Sequence, residues 1–288
     1  MAPIQKSHDG CAVRFSRRIN AAFIAFALFA LSTSSFAQLK GSWIKELTPP
    51  AAQPYPDIRP FKATFRFGWS NMFDAANAQV EYKRTSNGGY TIHATGGTIG
   101  VVRHLWRIDV THDAKGSLNG YFPSWMRQTE IYASQKNYME AIFQRALTWS
   151  LRDVTPSGGG EHKWRKMKVP DLRDMTSSML FVRSQPMKVG DNIVFTGFPG
   201  DSAYLARVHV VSRETIPLNG VDKKVFRLTI DINKINLQGA NKGALQPHSK
   251  FRRGTIWITD DADRMPVRAE VDIFVGYVYG QLESIQFQ

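Results

Sequence analysis

An antiparallel, mostly β fold is what this sequence predicts, and three observations predict it. Apolar residues recur with a period of two over most of the chain, turn signals separate the periodic stretches, and helical spacing is confined to one clear segment. About a dozen strands with one apolar face each must bury that face against something. A strongly curved antiparallel sheet, or an incompletely closed β-barrel with the helix capping its concave side, does so within one chain. A two-sheet sandwich is the alternative.

Three strands are plain. Phe61, Ala63, Phe65, Phe67 and Trp69 alternate with polar residues or glycine; so do Phe226, Leu228, Ile230 and Ile232, and Val267, Ala269, Val271, Ile273 and Val275. Weaker alternation runs through 75–84, 89–95, 105–113, 122–133, 137–152, 161–169, 192–198, 203–214, 252–259 and 277–287. Turn signals such as Asn87-Gly88-Gly89, Gly158-Gly159-Gly160, Pro199-Gly200-Asp201 and Asn219-Gly220 fall between them. Short connections without helices imply meanders. The exception is 172–183, where Leu172, Met175, Met179 and Val182 recur at helical spacing; Asp171 or Asp174 caps its start, and Gln185-Pro186 ends it. A second short helix is expected at 97–104.

The chain opens on a targeting segment. Lys6, Arg14, Arg17 and Arg18 precede an apolar run of 11 residues, 21–31, which is short of the roughly 20 that span a bilayer. Ser35 and Ala37 then set a small-x-small cleavage pattern. Residues 1–37 are read as a signal peptide, 38–60 as a linker with five prolines between 47 and 60, and 61–288 as a single β domain. The product is periplasmic or secreted, with no transmembrane segment after cleavage.

The only cysteine, Cys11, lies in the leader, so the processed chain has no disulfide, thiolate metal site or cysteine nucleophile. Removing the leader's four basic residues and one acid from the chain's 37 and 24 leaves a net charge of +10. Outside the cytoplasm such a charge meets anionic envelope surfaces and not nucleic acid; a generally basic, soluble surface explains it as well. The cluster His162-Lys163-Trp164-Arg165-Lys166-Met167-Lys168 reads as an exposed basic strand.

Chemistry is sparse. The six histidines outside the leader lack zinc-ligand spacing, and no Gly-x-Ser-x-Gly or Ser-x-x-Lys nucleophile occurs. Gly96-Gly97-Thr98-Ile99-Gly100 reads as a turn or bulge and not a phosphate loop. Asp260-Asp261-Ala262-Asp263 lacks the remaining ligands of a calcium loop and reads as a hairpin connection, with Arg264 placed to offset its charge. No cofactor, metal or catalytic residue is assigned.

The stretch Ile256-Trp257-Ile258-Thr259-Asp260-Asp261-Ala262-Asp263-Arg264-Met265-Pro266-Val267 resembles the signature hairpin of bacterial exported proteins grouped as domain of unknown function 3108. Asp174 to Arg183, then Pro186 and Gly190-Asp191, resembles that family's helix and following turn. Phe65-Phe67-Trp69 and Gly276 to Leu282 fit as well. The resemblance covers most of 60–288. It implies export and a β fold and brings no activity with it.

The expected function is a non-catalytic envelope protein that holds a hydrophobic or lipid-like ligand in the concavity, with Trp69, Phe143, Trp149, Met175 and Met179 as lining; the alternative for these residues is an ordinary filled core. A structural or assembly factor for anionic envelope components, and a hydrolase with dispersed carboxylates, are the competing classes. Cleavage between Ala37 and Gln38 is expected. The mass of the exported protein checks it, and a mature N-terminus that keeps the 21–31 run would overturn the reading.

Overall fold

Period-two alternation becomes sixteen strands among the residues that the computed structural model describes: 41–51, 58–70, 72–132, 135–155, 163–248, 253–272 and 276–288. The leader expected at 1–37 lies outside them. The first half of the chain is a meander of β1 (Phe61–Trp69), β2 (Phe73–Arg84), β3 (Gly89–Thr98), β4 (Ile108–Ser117), β5 (Pro123–Tyr132), β6 (Gln135–Gln144), β7 (Leu147–Thr155) and β8 (Arg165–Met167), with the one-turn helix α1 (Gly100–Leu105) between β3 and β4. A two-residue strand β9 (Arg173–Asp174) leads straight into α2 (Met175–Ser184). Then come β10 (Asn192–Phe198), β11 (Tyr204–Leu218), β12 (Val221–Ile235), β13 (Leu245–Pro247), β14 (Gly254–Thr259), β15 (Pro266–Asp272) and β16 (Tyr277–Phe287).

All sixteen join one open sheet. Its path runs β8-β7-β6-β5-β4-β3-β2-β1-β16-β15-β14-β12-β11-β10-β9, with β13 beside β12. Every pairing is antiparallel except β9 with β10. The chain's first and last strands therefore meet in the middle, Phe61 opposite Phe287. The long β11–β12 hairpin closes through Asn219 and Gly220, both at positive φ (50° and 78°), a two-residue turn that suits the twist of its strands. Curvature then brings the two arms of the sheet together. Phe143 of β6 meets Phe198 of β10 edge to face at 6.2 Å. Arg173 of β9 donates to the carbonyls of Gly120 and Tyr121 at 2.8 and 2.7 Å, in the connection between β4 and β5. Helix α2 lies in the concavity between the arms: Leu180 joins a core shared by both arms, Phe181 and Val182 a core built from β10, β11, β12 and β14.

The curved-sheet expectation holds, with differences in detail. The 137–152 stretch is two strands, turning at Arg145 and Ala146. Gly96 and Gly97 are not a turn; they lie inside β3, where a Cβ on Gly97 would stand 2.8 Å from an Asp109 carboxylate oxygen and 3.0 Å from the Ile108 carbonyl. The helix expected at 97–104 is shorter, and the main helix starts at Met175 because the extended strand β9 takes up Arg173 and Asp174.

The described parts of the segment read as a linker, 41–51 and 58–60, touch the sheet. Trp43 is buried and donates its indole N–H to the Gly243 carbonyl at 2.8 Å, and Ile58 is buried too. Thr48 exchanges hydrogen bonds with Val194 on the outer edge of β10, covering an otherwise unpaired strand edge. An extended Pro-rich run has the same local conformation free or docked; its apolar side chains decide for docking.

The Asp260–Asp263 run is a hairpin connection held by its own carboxylates. Asp261 Oδ1 accepts from the Thr259 hydroxyl at 2.6 Å and from the backbone N–H groups of Asp263 and Arg264 at 3.0 Å each. Asp263 pairs with Arg59 and Asp260 with Arg213. Arg264 feels the charge of Asp260, as expected, but its hydrogen bonds go elsewhere. It turns the other way and donates to the carbonyls of Arg183 and Gln185 at the end of α2. Arg264→Ala should therefore destabilise by about 2–3 kcal/mol, because charged donors are withdrawn from partly buried carbonyls. Asp261→Asn, which keeps an accepting oxygen, should cost about 1 kcal/mol or less. Urea denaturation of both variants checks this; the reverse order of damage would show that the carboxylate charge itself matters.

Candidate functional site

A helix placed inside a sheet brings its polar ends with it, and each end here has a dedicated set of partners. At the N-terminus the fully buried Asp174 accepts from the backbone N–H groups of Thr176 and Ser177 at 2.8 and 3.1 Å, and from both of their hydroxyls at 2.5 and 2.6 Å. His112 of β4 stands 3.7 Å away, an ion pair longer than a hydrogen bond, while its other ring nitrogen meets Gln128 at 3.0 Å. Burial alone would lower the His112 pKa, but the Asp174 carboxylate more than reverses this and holds it above its ordinary 6.5. Burial likewise opposes ionisation of Asp174, and its donors, His112 first, hold it below 3.8.

At the C-terminus Arg183 is buried. It donates to the Asp263 carbonyl at 2.8 Å and lies over the Phe61 ring at 5.1 Å. Arg173 is buried between the faces of Phe122 and Phe181, each 4.0 Å away. Burial pushes both guanidinium groups down to about 10, so they stay charged at neutral pH.

Serine, histidine and aspartate are thus neighbours, yet they are not wired as a nucleophile. In a hydrolytic triad the imidazole stands between hydroxyl and carboxylate and takes the hydroxyl proton. Here the carboxylate is central: the hydroxyls of Thr176 and Ser177 donate to it at 2.5 and 2.6 Å, and the Thr176 hydroxyl is farther, 3.4 Å, from His112 Nε2. This arrangement can cap a helix and hold its orientation.

Between those fixed ends, α2 does not fill the concavity. A cavity of about 290 Å³ lies on one side, against Phe65, Phe67, Val80 and Ile92 of the first arm and Ala269 of β15. Another of about 380 Å³ lies on the other side, against Val208, Leu228, Ile230, Ile232 and Ile256. Both are lined almost wholly by apolar atoms, and both reach Met175, Met179 and Ala269. The larger one also has Ser178, whose buried hydroxyl has no partner among the described residues.

Of the five residues expected to line a site, Met175 and Met179 line both cavities. The other three do not. Phe143 is packed against Phe198 in the filled core. Trp149 faces outward under Lys166, 4.4 Å above its ring. The turn at Arg145 explains this: it places Trp149 opposite the outward Ile142, and Thr148 opposite the inward Phe143. A register irregularity between Phe67 and Gly68 interrupts the alternation before Trp69, which ends up exposed at the sheet's rim against Phe73. The aliphatic residues of β11, β12 and β14 were missed as lining, although their period-two pattern marks them as one face.

A family model described as protein of unknown function (DUF3108) matches residues 61–283. The chain belongs to that family. No curated protein matches it. Among solved structures, this DUF3108 chain is similar to a beta-barrel-like protein of domain of unknown function DUF1849 from Brucella abortus, with a TM-score of 0.53 at 12% identity, covering 80% of this chain and 98% of that one. A protein with a YmcC-like fold from Bacteroides fragilis, described as exported, has a TM-score of 0.36 at 12% identity over 82% of this chain and 100% of that one. At such identity the DUF1849 likeness shows the fold alone. Among the described residues no helix is long and apolar enough to cross a membrane.

The buried pair at the head of α2 has a pH signature. His112, with its pKa raised above 6.5, contributes stability that is complete below 6.5 and lost as pH rises through the raised value. Asp174, lowered below 3.8, contributes stability that is complete above 3.8 and lost as pH falls through the lowered value. Stability from the pair should be greatest between these limits and decline on going alkaline. Denaturation across pH checks this: His112→Gln should flatten the alkaline decline, and an unchanged profile would remove the pair from the account.

Proposed function

We propose that this DUF3108 protein is a non-catalytic cell-envelope protein, periplasmic or secreted, that holds an acyl chain or similar apolar ligand beside α2. One observation carries the reading: two apolar cavities on either side of one helix meet at the same two methionines. Interiors normally close such space, and each volume is near the lower end of the roughly 300–1,000 Å³ of small-molecule sites. Methionine is unbranched and polarisable, so Met175 and Met179 fit apolar chains of varied shape. Ser178 offers one hydroxyl to a ligand carbonyl. The Asp174 carboxylate accepts from the amides and hydroxyls of the helix's first turn, which speaks against hydrolysis at this place. The basic, apolar leader supports export.

A fatty acid with an environment-sensitive fluorophore should bind saturably to the purified protein. Met179→Glu should weaken binding about tenfold or more, since it sets a charge where the chain would lie. Circular dichroism must show the variant folded. No saturable binding by the wild type, for fluorescent acyl chains or extracted envelope lipids, would end the carrier reading.

A further inference from the structure

We propose that one rim of the sheet docks on an anionic lipid bilayer. The meander fixes which loops share that rim: β1 and β3 end there, and β2 and β4 begin there. The β1–β2 turn presents Trp69, Met72 and Phe73 to solvent, and α1 with the residue after it presents Val101, Leu105 and Trp106. Met72, Val101, Leu105 and Trp106 are 71–76% exposed, which makes them the four most exposed large apolar side chains among the described residues. The two loops that present them are neighbours. Trp69 and Phe73 are in edge contact at 6.3 Å, and the Ile99 amide donates to the Ala75 carbonyl at 2.9 Å, which ties the start of α1 to β2.

Charge names the occupant. From Gly96 to Ile108 the sequence has Arg103, His104 and Arg107 and no acid. Both arginines reach the same carboxylate, Asp109, at 2.7 and 3.0 Å, so one negative charge serves two positive ones. Apolar and tryptophan side chains that project from two short loops, with the surplus cationic charge of the α1 loop between them and the strands, suit the headgroup region of an anionic bilayer, where the rings insert and the guanidinium groups meet phosphates. A protein partner would need a flat or grooved face, and these side chains stand on two separate projections.

Residues that line both cavities lie close to this rim. Phe67, which lines the smaller one, lies two residues before Trp69. Val271, which lines the larger one, pairs with Val278, and Val278 pairs with Trp69. A docked rim would set both apolar cavities next to the lipid phase. The proposal rests on the rim's own exposure and charge, so its failure and that of the carrier reading are separable.

Flotation of residues 39–288, which hold every described element, with phosphatidylcholine vesicles with and without phosphatidylglycerol tests it. The protein should float with the phosphatidylglycerol vesicles, and added salt should weaken this. Leu105→Gln with Trp106→Gln should reduce partition on the order of tenfold. Val221→Gln, at an exposed apolar site on the opposite rim, should leave it unchanged. If the double variant fails to fold, Met72→Gln on the other loop carries the same expectation. Absence of flotation by the wild type, equal loss in the Val221 variant, or a rim-dependent dimer in sedimentation velocity would each overturn the proposal. Acyl binding in solution, measured separately, is indifferent to all three results.

Discussion

The constraint on which this structure turns is the placement of a polar-ended helix inside an apolar concavity. Helix termini leave backbone donors and acceptors unpaired, and inside a protein these need partners. Asp174 meets the donors at one end of α2, and Arg264 meets carbonyls at the other. Each partner then needs its own. His112 reaches across from β4 to the carboxylate, and the Asp260–Asp263 hairpin holds Arg264 at positive φ where it faces the helix. The two most distinctive local sequences, the Asp174 helix and the Asp-Asp-x-Asp-Arg hairpin, are thus two halves of one device.

Much of the fold was legible because period two is a direct image of a sheet with one buried face. β10 and β16 lie where the alternation places them, and α2 follows from helical spacing and its cap. The site was less legible because cavity lining depends on register, and register depends on turns. A stretch read as one strand puts Phe143 and Trp149 on the same face. A two-residue turn between them sends Trp149 outside. Trp69 fails for a related reason, a one-residue irregularity in the pairing beside it. Met175 and Met179 stay together beside the cavities because both lie on α2, whose face needs no partner strand to define it.

The segment before Phe61 shows another limit of reading locally. Prolines exclude helix and central strand, and the described residues from Leu47 to Pro60 form neither. Yet Trp43, Leu47 and Ile58 are apolar, and Thr48 pairs with the free edge of β10. Proline-rich chain suits that task, because an edge-covering strap needs only some of its amides to donate. An open sheet of this size has edges to hide, and the strap hides part of one.

Why the concavity is not filled follows from the same anchoring. A helix free to shift would settle against one arm of the sheet and close one cavity at the expense of the other. Here α2 is tied to the first arm by His112, to the β4–β5 connection by the neighbouring Arg173, and to the β14–β15 hairpin by Arg183 and Arg264. Those contacts hold it between the arms, touching both cores through Leu180 and Phe181 while Met179 lies beside unfilled space on either side. Close packing would have favoured larger side chains on β11, β12 and β14 facing the helix. The aliphatic residues found there leave room, and the polar groups at the ends of α2 keep that room from collapsing.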